Sequence, residues 1–417
     1  MKIIKLQGRE IFDSRGFPTL ECEIMLDDGC LFRASVPSGA STGIHEAIEL
    51  RDNDAQRLFG KGVLKSIDIL ENVIGPALIG NAPQVCSMDQ FMIELDGTTN
   101  KARLGANTIL SASIAILKAQ AHLEQTELYE CIAHLYNAEA VMLPIPLFNM
   151  INGGAHADNN LRIQEFMVAP LGAKNFRHSI EQASLVFHHL KRLLKEAGKT
   201  VSVGDEGGFA PHFEHEVEAI DFLLKAIDEV GDQDMFRIAL DVAASEFYKP
   251  LSRTYSWHDK EYSSTDMIAF YQELLAYYPI YSIEDGLAQD DWDGWMTLNR
   301  TLGETTQIVG DDLFVTSSSR IIHGVKTHAA NAVIIKPNQV GTVTETLQAI
   351  QTCQEYGMGT IISHRSGETE DTFIADLAVG TSAGQIKAGS CSRGERMAKY
   401  NRLLRIEDQL IYGLLED

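Results

Sequence analysis

A succession of short apolar runs, each ending on a charged or polar residue, constrains the fold of this 417-residue chain more than any other feature. PIYSI runs into Glu284, TQIVG into Asp311, NAVII into Lys336, GTIIS into His364 and GQI into Lys387. These terminal residues are spaced by 27, 25, 28 and 23 positions. Each interval suits one strand, one helix and two loops, so the series reads as repeated βα units. Such units build a parallel barrel whose active site gathers where the strands end. RIAL, ending in Asp241, joins the same series upstream.

The chain before this series has another texture. TLECEIML and CLFRASV flank DDG, a hairpin signal. Helical periodicity follows in HEAIELRDNDAQRLF (45–59) and in LGANTILSASIAILKAQAHLEQTELYECIAHLY (104–136). Strands first and helices later imply a small α+β domain over residues 1–135. The two prolines of MLPIP break regular structure near residue 142, which places a barrel domain at 140–417. Roughly 270 residues follow the break, close to the ~250 typical of such barrels.

Charge and cysteine usage narrow the partners. The formal net charge of −23 repels nucleic acid and anionic lipid and attracts divalent cations. An anionic substrate therefore needs grouped Lys and Arg, or metals, to invert the field locally. None of the six cysteines has CxxC spacing, which fits a reducing cytosol and gives no zinc ribbon. MKIIKLQGRE is too poor in apolar residues for a signal peptide, and no apolar run approaches the ~20 residues of a membrane helix. A cytoplasmic protein without a membrane span is expected.

Several residues carry candidate chemistry. Asp241, Glu284 and Asp311 end consecutive strands, so a barrel makes them converge. Three carboxylates without histidine suit a hard cation such as Mg²⁺; a single acidic residue starting a polar loop is the plainer reading of each alone. Lys336 and Lys387 are rim lysines or, near divalent cations, bases with depressed pKa. GDEGGFAP (204–211) can aim Glu206 inward, because glycine permits close backbone approach, or it is an exposed turn. INGGAHADNN (151–160) sets His156 in a loop able to close over a site. RIQEFMVAP (162–170) puts Gln164 and Glu165 in an apolar strand, where polar side chains need partners. PSGASTG (37–43) lacks the lysine and spacing of a P-loop, and HEAIE and HEVEA lack the second histidine of a zinc-protease helix.

Taken in order, DSRG (13–16), PSGASTG, LGAN (104–107), NGGAHADNN, QEFM, GDEGG, LDVAASEF, SIEDG, GDDL, KPNQ, SHRSGETEDT (363–372) and GQIK resemble the enolase family, in its bacterial forms, over nearly the whole chain. The resemblance implies an eight-stranded (β/α) barrel with an atypical antiparallel start, preceded by a smaller α+β domain. It implies a glycolytic lyase that reversibly dehydrates 2-phosphoglycerate to phosphoenolpyruvate with two Mg²⁺ per site. Asp241, Glu284 and Asp311 would hold the first ion, and Ser41 the second. Lys336 would be the base, Glu206 the acid with Glu165 beside it, and His364 would lie near the leaving hydroxyl. Arg365 and Ser366 would bind phosphate, while His156, Gln164 and Lys387 contact substrate. Close approach of Glu165 is expected to keep a proton on Glu206, since like charges raise one pKa. Arg9, Glu21, Glu395 and Arg405 match the family's dimer contacts, which implies a homodimer or larger homo-oligomer. Phe17 and Pro337 depart from the family pattern. Two alternatives stay open: a superfamily sugar-acid dehydratase, and a non-catalytic binding protein on the same fold.

Overall fold

The computed structural model describes residues 1–39 and 42–412. The chain opens with an antiparallel sheet of β1 (Ile3–Phe12), β2 (Pro18–Leu26) and β3 (Leu31–Ser35). β2 and β3 are the two runs around DDG. β1 escaped the sequence reading because only Ile3, Leu6 and Gly8 of its ten residues are buried, too sparse a signal for alternation. The helix Ala106–Glu124 packs across β2 and β3. Being apolar on nearly every side, it is buried almost throughout.

Two helical expectations need correction. Residues 45–57 are not helical; only a single 3₁₀ turn, Leu58–Gly60, follows them. Their amides bond outward instead, Ala47 N–H to the Gln339 carbonyl, Ile48 N–H to that of Asn100 and Leu50 N–H to Asn107 Oδ1. Tertiary partners thus outcompete the helical ladder that the periodicity suggested. The long segment 104–136 breaks at Gln125, whose φ of 57° ends one helix, and Leu128–Tyr136 starts again behind a Glu127–Glu130 capping box.

The second part is a closed barrel built from β4 (Ile145–Asn152), β5 (Glu165–Ala169) and β6 (Arg237–Asp241), then, after a small sheet of β7 (Tyr248–Lys249), β8 (Thr254–Trp257) and β9 (Lys260–Tyr262), from β10 (Ile280–Glu284), β11 (Gln307–Gly310), β12 (Ala332–Ile335), β13 (Gly359–Ser363) and β14 (Gly384–Lys387). The strand order is β10-β11-β12-β13-β14-β4-β5-β6. β5 runs antiparallel to both of its neighbours, and every other pair is parallel. The antiparallel start is therefore present. Leu147, Met167, Ala239, Val309, Ile334 and Ile361 belong to a core supplied by barrel strands alone, apart from the larger core shared with the helices. No helix of the described residues is long and apolar enough to cross a membrane.

The N-terminal sheet meets the barrel where SHRS ends. Ser38 and Gly367 exchange backbone hydrogen bonds of 2.8 and 2.9 Å, and Ser14 N–H donates to the Glu368 carbonyl. A Cβ on Gly367 would stand 2.4 Å from Asp13 Oδ2 and 2.5 Å from Arg15 Nη2, so glycine alone permits this approach. The acidic run GETED serves the same joint. Asp371 accepts from Ser35 N–H, Phe373 N–H and Lys118 Nζ, while Glu368 accepts from Arg365 N–H and Lys399 Nζ.

Candidate active site

Asp241, Glu284 and Lys387 are the last residues of β6, β10 and β14, and Asp311, Lys336 and His364 directly follow β11, β12 and β13. Glu165 is the first residue of β5. Because that strand is reversed, its beginning lies at the barrel end where the others finish. Gln164 precedes it. In the strand order β12 and β5 stand four places apart in a ring of eight, so Lys336 and Glu165 face one another across the mouth. His156, Glu206, Arg365 and Ser366 line the same cavity.

The predicted carboxylates are gathered around ammonium groups. Lys387 Nζ lies 2.8 Å from Asp241 Oδ2, 2.9 Å from both Glu284 oxygens and 3.1 Å from Glu165 Oε1. Burial alone would lower the Lys387 pKa, but Asp241, Glu165 and Glu284 hold it well above the usual lysine value. Asp311 turns away from this group toward Lys336 Nζ and toward Gln339 Nε2 at 3.0 Å. Asp311 groups with Asp285 and Asp312, one ligand atom of each lying within 4.8 Å of the others. Burial and Asp311 push Asp312 up to about 7. The donor set consists of carboxylate oxygens around positive charge, which fits a hard divalent cation.

The sequence expectation for Lys336 is conditional on nearby divalent cations; the protein's own groups act in the other direction. Burial opposes its charge, yet Asp311 more than offsets this and raises its pKa. The departure from the family pattern beside it has a simple local account. β12 has already ended, and Pro337 opens the 3₁₀ turn Pro337–Gln339, where its missing N–H is not needed. Phe17, the other departure, lies under Lys61, whose Nζ is 3.8 Å from the ring centroid.

Opposite Lys336, Glu165 and Glu206 form a buried pair bridged by His156, whose Nδ1 is 3.6 Å from Glu165 Oε1 and 3.5 Å from Glu206 Oε1. Glu206 is aimed inward by Gly207, which has a φ of 89° and leaves only 2.7 Å between a would-be Cβ and the Ser392 carbonyl. Asn149 Nδ2 donates to Glu206 Oε2 at 3.0 Å. The two carboxyls are shifted in opposite directions, and the raised one is Glu165, where the sequence expectation has Glu206 raised. Burial and the Glu206 charge hold Glu165 well above the carboxylate range. Glu206 is also raised by burial, yet His156, His364, Arg396 and Lys387 together take it well below. Both histidines are themselves held below the usual imidazole value by burial, against the opposing Glu206 charge. His156 Nδ1, Gln164 Oε1 and Glu165 Oε2 are buried without a hydrogen-bond partner among the described residues. Such atoms in a shared cavity mark a place for a polar ligand.

Arg365 forms a two-pronged bond to Glu46, with Nη1 2.8 Å from Oε2 and Nη2 3.2 Å from Oε1, and Nη1 also reaches Asn338 Oδ1. Arg15 Nη1 lies 3.4 Å from Ser366 Oγ. Ser41 falls outside the described residues.

Five supporting residues were missed from sequence. Asp285 accepts from Asp311 N–H at 2.8 Å and Asp312 N–H at 2.9 Å. Gln339 joins Asp311 to Thr316, whose hydroxyl oxygen accepts from Lys336 N–H. Asn149, Glu46 and Arg396 hold the glutamates and the clamp. The doublets SIEDG and HEAIE were visible signals for Asp285 and Glu46. Arg396 had one as well, a charged residue on the same helical face as Tyr400 and Leu403.

Residues 3–132 match the family model described as the enolase N-terminal domain, and residues 140–413 match that described as the enolase C-terminal TIM barrel domain.

Proposed function

The chain belongs to the enolase family, and on that premise we propose that it is a phosphopyruvate hydratase of bacterial type, reversibly dehydrating 2-phospho-D-glycerate to phosphoenolpyruvate in the cytoplasm. The observation that carries this reading is the placement of Lys336 and the Glu165–Glu206 pair on opposite sides of one barrel mouth. An elimination that takes a proton from one carbon and a hydroxyl from the next, on opposite faces, needs a base and an acid so opposed. We assign the chain's two parts as 1–135 and 140–417.

Lys336 takes the C2 proton. Asp311 is what keeps its ammonium charged, so once that carboxylate is engaged elsewhere the buried amine becomes a base. Mg²⁺ held by Asp241, Glu284 and Asp311, with a second ion at Ser41, would supply Lewis-acid stabilisation of the extra negative charge on the substrate carboxylate, the general pattern of the enolase superfamily. Hydroxide leaves poorly without a proton, and burial together with the Glu206 charge raises the Glu165 pKa well above the carboxylate range. Glu206 delivers at the leaving oxygen, with Glu165 as the partner that stores the proton and His364 as a neighbouring polar group. The planar fork of Arg365 matches a phosphate, which exchanges with the Glu46 carboxylate there. Ser366, Lys387, Gln164 and His156 complete the substrate contacts.

The test is phosphoenolpyruvate formation from 2-phosphoglycerate with and without Mg²⁺. We expect Mg²⁺-dependent turnover, with Glu206→Gln slowing dehydration by about 10²–10⁴-fold. A scaffold protein gives no product with any substrate. A sugar-acid dehydratase turns over a non-phosphorylated acid instead.

A further inference from the structure

Arg396 lies in the helix Gly394–Tyr412 with its side chain wholly buried. A buried guanidinium is costly unless its N–H groups are paired. Nη2 donates to the carbonyls of Ser366 at 2.6 Å and Asp205 at 3.0 Å, and Nη1 to that of Arg365 at 2.7 Å. Nη1 also lies 2.7 Å from His364 Nδ1. Guanidinium carries donors only and stays charged. A bond between Nη1 and Nδ1 therefore requires a lone pair on Nδ1. An imidazolium, or a neutral ring protonated on Nδ1, would set N–H against N–H. The ring's only proton then sits on Nε2, which points at Glu206 Oε2 across 3.5 Å.

We infer that Arg396 is a positioning residue that locks His364 as the neutral Nε2–H tautomer, so that His364 acts at the glutamate end as a hydrogen-bond donor and not as a base. The functional half of this inference rests on the dehydration reading above; the tautomer does not. The separation of 3.5 Å is long for a direct bond, which leaves this N–H available to the leaving oxygen that the dehydration reading puts beside Glu206. The surrounding charges agree. Burial drives the ring toward neutrality, Glu206 opposes this, and Arg396, Lys387 and Lys336 reinforce it. The same guanidinium ties the strand end carrying Arg365 to the loop carrying Glu206, so one side chain sets the phosphate clamp and the acid together.

The experiment is nitrogen NMR of the ligand-free protein labelled at histidine, with His364 assigned by the signals lost in His364→Gln. Wild type is expected to show a protonated Nε2 and a bare Nδ1 from about pH 6 to about pH 8, the range in which an ordinary histidine titrates. Arg396→Lys, which still donates, keeps that pattern. Arg396→Met releases Nδ1 and yields mixed tautomers or an imidazolium. In Arg396→Met, phosphoenolpyruvate formation falls about tenfold or more while C2 proton exchange persists. A wild-type ring protonated on Nδ1, or charged at neutral pH, overturns the inference even if neither variant folds. Equal loss of exchange and dehydration overturns the role at the glutamate end. Absence of any turnover by wild type, with the tautomer as expected, counts against the dehydration reading alone.

Discussion

Asp285 touches no substrate in this account, yet Asp311 depends on it. Both of its oxygens are used, accepting the amides of Asp311 and Asp312. An asparagine side chain at this position would keep one acceptor and turn an N–H toward the other amide. Asp285→Asn should therefore weaken Mg²⁺ binding by about 10–100-fold, the range for partners that orient metal ligands. Calorimetric titration with Mg²⁺ in the presence of 2-phosphoglycerate checks this, and unchanged affinity would show that Asp311 needs no such support. The carboxylates proposed as ligands were legible because each closes an apolar run. Their supporters were not, since the hydrogen bonds that Asp285 accepts and that Gln339 and Asn149 donate follow no periodicity. Protonation was the least legible of all. Burial raises the Glu206 pKa, and the groups that together lower it, His156, His364, Arg396 and Lys387, come from distant parts of the chain.

Among elements, the joint between the N-terminal sheet and the SHRS strand end holds the clamp in place. Asp371 lies at its centre, 2.7 Å from Lys118 Nζ on the helix Ala106–Glu124. Burial raises its carboxyl, but Lys118 and the amides of Ser35 and Phe373 take it below its usual value. A depressed folded-state pKa gives stability that is fully present above the unfolded value of about 3.9 and is lost as pH falls through the folded value. Asp371→Asn should cost roughly 2 kcal/mol at neutral pH, the scale of a hydrogen bond to a charged group. The gap to wild type should stay constant from about pH 5 to about pH 8 and narrow below about pH 4.5. Urea unfolding across that range measures it, and a gap independent of pH would remove the carboxylate's charge as the cause. The barrel strands were readable from spacing because parallel βα units repeat. The reversal of β5 was not, because Glu165 opens a strand instead of closing one, and no spacing rule marks that. Residues 45–57 misled for the opposite reason, their backbone amides bonding to oxygens of Gln339, Asn100 and Asn107 instead of to one another.

At the scale of the whole molecule, the cavity shares the chain's negative excess, since Arg365, Lys336 and Lys387 stand among more numerous carboxylates such as Glu206, Asp241 and Asp311. An anionic substrate therefore needs divalent cations there to invert the local field. The sheet edge at β1 carries exposed apolar side chains. Ile4 and Phe12 on β1 are 49% and 58% exposed, and Arg9 of that strand pairs with Glu21 of β2. We propose a homodimer through this edge. Sedimentation equilibrium at micromolar concentration should return twice the chain mass, and Arg9→Glu should lower it; a wild-type monomer would refute the proposal. The central claim is chemical, that Lys336 removes the C2 proton while the glutamates across the barrel do the rest. Its most direct test is deuterium uptake at C2 of 2-phosphoglycerate in D₂O with Mg²⁺ present. The account predicts exchange by wild type and by Glu206→Gln, and none by Lys336→Ala; exchange undiminished in Lys336→Ala would contradict it.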